Sequence, residues 1–111
     1  MASIVNWNIR GLRANFSELQ ILISDRQPVA ICLQELLISQ QYQFCNRHYS
    51  IITKLPDLDP DARPSGGVGI LIRKDTPYSN LAINSSLQAV ACRISIPNPV
   101  TICSVYLPPT S

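Results

Sequence analysis

The chain has 111 residues, of which 46% are hydrophobic and 14% charged, with nine basic and seven acidic residues and a formal net charge of +2. This composition excludes an intrinsically disordered tail and suits one compact unit that buries roughly two thirds of its unfolded surface. The basic residues are scattered singly, so charge neither points to nor excludes a phosphate-bearing partner.

Taken in order, residues 4–9 read as a short strand ending at Arg10-Gly11, where Gly11 can take the positive φ of a sharp exit. Residues 16–26 predict a helix. Phe16, Leu19, Leu22 and Ile23 share one face, Asn15 is placed to cap it with Glu18 at the third helical position, and Pro28 stops it. Residues 29–33 are apolar without alternation, as in a strand covered on both faces. Strand, helix and buried strand in that order predict a βαβ unit of an α/β fold. Glu35 follows at the carboxyl edge of this central strand, where ligand sites of open α/β sheets collect.

Residues 36–47 fit either a short helix or a loop. Residues 49–53 read as a strand, and 55–65, with Pro56, Pro60, Pro64 and three Asp residues, as an exposed loop. Gly66-Gly67 opens a strand over 68–73. It is therefore not a phosphate cradle, because such loops follow a strand and open a helix. Residues 87–96 alternate, with Gln88, Val90, Cys92, Ile94 and Ile96 on one face and Ala89, Ala91, Arg93 and Ser95 on the other. Pro97-Asn98-Pro99 turns the chain into a return strand over 100–107, an antiparallel hairpin that Pro108-Pro109 ends. A chain finishing on an apolar hairpin lacks anything to cover that sheet face and edge, so the expectation is a piece of a longer protein.

Cys32, Cys45, Cys92 and Cys103 have no zinc-site spacing, and the three within strand-like runs read as small buried hydrophobes in a reducing, intracellular compartment. No apolar run is long enough to span a bilayer, and no signal sequence is recognisable, so no membrane partner is expected. His48 has no acid at ligand spacing and reads as a surface or structural residue. Arg63 and Arg73 read as solvated surface charges.

Three polar groups fall at strand ends: Asn8, Glu35 and Tyr106. Glu35 offers a hard oxygen ligand for Mg²⁺, which takes one or two protein carboxylates and completes its shell with water and phosphate. An amide can hold a phosphate oxygen and a phenol can donate to it. Together they suggest metal-assisted phosphoester hydrolysis. Each also has an ordinary structural reading: Asn as turn former, Glu as solvated cap, Tyr as core aromatic with a wet hydroxyl.

The segments Trp7-Asn8-Ile9-Arg10-Gly11-Leu12-Arg13, Ile31-Cys32-Leu33-Gln34-Glu35, Ser65-Gly66-Gly67-Val68-Gly69-Ile70-Leu71 and Ser104-Val105-Tyr106-Leu107-Pro108-Pro109 resemble, in order and spacing, the endonuclease/exonuclease/phosphatase superfamily. The wording is most similar to the apurinic-type endonuclease domain of jockey-like non-LTR retrotransposon polyproteins. The resemblance implies the amino-terminal part of a two-sheet α/β sandwich, a single partial domain over 1–111, incomplete at its carboxyl end. It implies a Mg²⁺- (or Mn²⁺-) dependent DNA endonuclease that nicks target DNA to prime reverse transcription. Glu35 would be the metal ligand, Asn8 would position the phosphate and catalytic groups, and Tyr106 would contact the scissile phosphate. DNA is the implied partner, with a reverse transcriptase domain downstream, a nuclear site of action and no small-molecule cofactor. Arg10 stands where repair-type apurinic endonucleases carry an acid, as is common in the retrotransposon branch, and is not expected to be a ligand. The family's GDFN-type and SDH-type segments are absent from these residues. The fragment is therefore expected to be inactive, since those segments supply the general base and the second acidic ligand. The alternatives are a non-catalytic remnant or binding module of the same fold, or another phosphoesterase of the superfamily.

Overall fold

The computed structural model describes residues 3–57 and 61–107. The middle of the proline-rich loop and Pro108-Pro109 lie outside the described residues. The elements are β1 (Ile4–Asn8), α1 (Phe16–Arg26), β2 (Ala30–Gln34), β3 (Tyr49–Lys54), β4 (Val68–Arg73), β5 (Tyr78–Leu81), β6 (Gln88–Ser95) and β7 (Pro99–Tyr106). They form a four-stranded sheet in the order β1-β2-β4-β3 and a three-stranded sheet in the order β5-β6-β7. The chain is thus α/β, with two packed sheets and a helix on the outer face of the first.

The βαβ unit is as expected: β1 and β2 are parallel, with Ile4 opposite Ala30 and Asn8 opposite Gln34. Antiparallel β4 lies on the other side of β2, with Gln34 opposite Val68, and this makes β2 an interior strand. All five of its residues are buried, and the unbroken apolar run is explained because each face has its own cover. Ile31 and Leu33 join Leu71 and Tyr49 in a core under α1, where the helix supplies Leu19 and Ile23. Ala30 and Cys32 join Ile70 and Ile72 in a second core, against Cys92, Ile94 and Ile102 of the other sheet. Each fully buried Leu or Ile side chain contributes about 1.5–3 kcal/mol, so the two cores together fix the register of β2.

The helix has the expected limits, but both ends are made differently. Asn15 makes no side-chain cap; its Nδ2 donates instead to Ile9 O at 2.7 Å, tying the helix entry to the end of β1. At the other end Gln27 turns left-handed (φ 44°) and its N–H donates to Ile23 O, so the helix has closed before Pro28. Sheet closure around α1 is helped by Phe44, from the segment after Glu35, which meets Phe16 at 5.9 Å between ring centres. Residues 36–48 form no helix or strand.

Three further expectations change. A short strand, β5, pairs with β6 in a region not predicted as one; its sequence, Tyr78-Ser79-Asn80-Leu81, is exposed over three of four residues and carries no apolar alternation. Cys32 and Cys92 are buried, but Cys103 is exposed like Cys45, because the inward positions of β7 are Ile102 and Ser104 and the residue between them faces out. Ala89 and Ala91 are buried as well as Cys92 and Ile94 on the opposite face of β6, where strands pair along both of its edges. The hairpin of β6 and β7 is present, with Gln88 opposite Tyr106 and Ser95 opposite Pro99. An edge strand of the second sheet, β7 leaves Val100 and Val105 exposed.

Candidate active site

Five chain segments meet at one end of the two sheets. The exits of β1 and β2, the Gly66-Gly67 entry to β4, and the paired ends of β6 and β7 form the rim. Backbone hydrogen bonds fix it: Ile9 N donates to Gln34 O (3.1 Å), Gly11 N to Glu35 O (2.9 Å) and Leu12 N to Leu36 O (2.9 Å). On the other side Leu36 N donates to Gly67 O (3.1 Å) and Leu37 N to Gly66 O (3.0 Å). The segment carrying Glu35 is therefore held along both flanks.

Its backbone is also strained. Glu35 and Leu37 both have φ 54°, and Arg10 across the rim has φ 52°. Left-handed conformations at residues with a Cβ cost about 1 kcal/mol or more, and they persist where surrounding contacts over-determine them. Two glycines relieve what side chains could not. Gly11 (φ 110°) makes the expected exit from β1. Gly67 (φ 94°) lies so close that an added Cβ would stand 3.0 Å from Leu55 Cδ2 and 3.4 Å from Leu36 Cβ. Gly67 N donates to Gln88 Oε1 at 2.7 Å, which joins the rim of the first sheet to the second. The Gly-rich piece thus packs the rim together, in keeping with its place before a strand.

Asn8, Glu35 and Tyr106 all lie on this rim. Asn8 ends β1 with its side chain exposed and opposite Gln34 in register. Glu35 is half-buried one residue past the end of β2. Tyr106, the last residue of β7, is half-buried. Desolvation first, and then the adjacent Glu35 carboxylate, push the Tyr106 phenol above its ordinary range. The phenol stays a proton donor at neutral pH, facing an acceptor.

Beneath the rim is a polar network that the sequence did not announce. Gln34 Nε2 donates to Asn6 Oδ1 at 2.8 Å and to Ser104 Oγ at 3.0 Å. Ser104 Oγ in turn donates to Leu33 O at 2.9 Å. Gln34 and Ser104 are both buried, and among the described residues no buried side-chain polar atom lacks a partner. The only signal for it was a glutamine ending an otherwise apolar run. Because Gln34 and Ser104 precede Glu35 and Tyr106 by one and two residues, the network sets the spacing of the two rim side chains.

The side chains that the strand ends bring to the rim carry hard oxygen atoms, a carboxylate, an amide and a phenol. Glu35 is the acid that the exit of β2 brings there, and among the described residues no three His, Cys, Asp or Glu side chains come together. Glu35 fits a metal as one ligand, and water and substrate would have to supply most of the shell. His48 is exposed and Arg73 lies at the opposite end of β4, so neither joins the rim. Arg63 is exposed in the loop before Gly66.

No family profile matches the chain, and no curated protein matches it by sequence. Solved structures do share its fold. A 3′ phosphatase, NExo, from Neisseria, bound to a product DNA hairpin, superposes with a TM-score of 0.67 at 22% identity, covering 96% of this chain and 41% of that one. The 3′-5′ exonuclease NExo from Neisseria meningitidis gives 0.63 at 21% identity, covering 92% and 40%. An AP endonuclease from Archaeoglobus fulgidus gives 0.69 at 15% identity, covering 97% and 42%. This chain accordingly shares the two-sheet α/β fold of these three structures, over about two fifths of their length.

Proposed function

We propose that the chain is the amino-terminal, metal-holding part of a divalent-metal-dependent DNA endonuclease, one partial domain of a non-LTR retrotransposon polyprotein. The observation that carries this reading is the carboxylate of Glu35, held at the carboxyl edge of central strand β2 and facing the Tyr106 phenol. The fold shared with nucleases and the resemblance of the rim segments to the retrotransposon branch support it.

In this reading Glu35 is the Mg²⁺ or Mn²⁺ ligand. A bound ion would supply charge neutralisation at the phosphodiester. Asn8, with an exposed amide at the end of β1, orients the phosphate. Tyr106, kept protonated, donates to a phosphate oxygen as negative charge grows there. The rigid rim serves positioning, since misplacement by about 1 Å costs a site on the order of a hundredfold in rate. The nick supplies a primer for a reverse transcriptase encoded downstream, acting in the nucleus.

Residues 1–111 by themselves do not turn over in this reading, because the resemblance puts the general base and the second acidic ligand in the GDFN-type and SDH-type segments, and among the described residues no three His, Cys, Asp or Glu side chains come together. The same observation favours a second reading, a non-catalytic module that keeps the scaffold and binds without cutting. Plasmid nicking in Mg²⁺ tests both. This chain is expected to nick no faster than its Glu35→Ala variant, and robust nicking abolished by that substitution would overturn the claim of inactivity. A version extended with its parent's downstream sequence, containing the GDFN-type and SDH-type segments, is expected to nick and to lose activity with Glu35→Ala. If the extended protein binds DNA without cutting it, the non-catalytic reading stands instead.

A further inference from the structure

At the opposite end of the first sheet, roughly a strand length of 17 Å from the rim, lies a cleft of about 960 Å³. Its walls are the carboxyl end of α1, the segment before β3 and the turn after β4. Arg47, His48, Arg73 and Lys74 line it, with Asp75 the one acid among its lining residues. A second cleft of about 550 Å³ shares Gln27, Arg73 and Asp75 with it and adds Arg26.

The cationic groups are organised. Arg73 Nε donates to Asp75 Oδ1 at 2.7 Å and Arg73 Nη1 donates to Gln27 O at 2.6 Å. Three guanidinium N–H groups remain for another acceptor. Lys74 N donates to His48 O at 2.8 Å, which fixes the two cation-bearing segments against each other. Asn46 Nδ2 donates to Gln20 Oε1 at 2.9 Å, orienting that amide and leaving Gln20 Nε2 with no protein acceptor among the described residues. Arg47 and Lys74 have no carboxylate partner there either, the Arg73–Asp75 bridge being the one described ion pair.

We propose that this cleft binds a nucleotide through its phosphates. Arg47 and Lys74, from separate segments, take two anionic groups, Arg73 makes a planar contact with one of them, and Gln20 serves the sugar or base. A single anion would leave one of the two cationic segments unused, and the volume suits one nucleotide, within the roughly 300–1,000 Å³ of small-molecule sites. The nucleotide is either free or the phosphorylated end of a nucleic-acid strand; the recognising chemistry is the same. The proposal is independent of the Glu35 rim.

The experiment is amide NMR titration of the whole chain with ADP and, separately, with a 5′-phosphorylated trinucleotide, against sodium sulfate of equal ionic strength. Saturable shifts are expected at His48, Lys74 and Gln20. Arg47→Gln with Lys74→Gln should weaken binding at least about tenfold. Both altered side chains are at the surface, and the variant's retained spectrum shows that it is folded. Tighter ADP binding identifies a free nucleotide, and tighter trinucleotide binding a strand end. No saturation above sulfate, or equal affinity in the double variant, overturns the site.

Discussion

Gln34 and Ser104 are 70 residues apart and hydrogen-bonded through Nε2 and Oγ at 3.0 Å, inside the layer between the two sheets. This contact crosses from the strand that positions Glu35 to the strand that positions Tyr106. It places a stability element directly under the candidate site.

Ser104→Ala removes the hydroxyl that accepts from Gln34 and donates to Leu33 O. Loss of a buried bridging group leaves its partners underbonded, at a cost of about 1–3 kcal/mol. In a chain of this size that lowers Tm by roughly 4–8 °C per kcal/mol. Thermal unfolding followed by circular dichroism checks it, and an unchanged midpoint would mean that water replaces the hydroxyl freely.

Glu35→Gln keeps the shape of the rim and removes the carboxylate at the end of β2. Added Mn²⁺ is expected to broaden the resonances of Asn8, Gln34 and Tyr106 in the parent chain, and to leave them sharp in the variant. Equal broadening in both would place the metal elsewhere.

Gly67→Ala introduces a Cβ at φ 94° that meets Leu55 Cδ2 at 3.0 Å. Backbone strain and crowding together should cost about 2 kcal/mol or more. Because Gly67 O accepts from Leu36 N, the loss should also show as faster amide exchange at Leu36 and Leu37. Exchange rates equal to those of the parent would show that the two loops are not coupled.

Alkaline pH should destabilise the fold. Desolvation first, with contributions from Cys92 and Cys103, raises the Cys32 thiol from 9.0 to about 11. Tyr49, Cys92 and Tyr106 shift the same way, each chiefly by desolvation. For such groups the unfolded chain gives up its proton first. Their contribution is therefore complete below the unfolded pKa and is lost as pH rises through the folded one. For Cys32 that window runs from 9.0 to about 11, with a loss on the order of 2 kcal/mol. Urea midpoints across this range should fall, and fall less steeply for Cys32→Val, which keeps an apolar side chain and cannot titrate. Parallel slopes would assign the alkaline loss to the tyrosines and Cys92.

Local sequence carried much of the fold. The βαβ order, the helix limits, the interior position of β2 and the final hairpin all follow from apolar periodicity and from Gly and Pro positions. These are read within one element, where side-chain spacing alone dictates which face is apolar. The three rim residues were likewise legible as polar groups at strand ends, and four separated motifs pointed to a fold that the solved structures share. What local pattern could not supply were β5, the use of Asn15 as a tie to Ile9 O, and the Asn6–Gln34–Ser104 network. An edge strand held by backbone bonds leaves no apolar signature. A buried amide or hydroxyl has no sequence mark distinguishing it from a solvated one, because its partner lies on another strand many residues away. Tertiary structure alone decided that Glu35 faces Tyr106, since that requires the second sheet to close over the first. The cationic cleft is of the same kind: its arginines and lysine are scattered singly along the chain, and only the packing of α1, the segment before β3 and the turn after β4 brings them together.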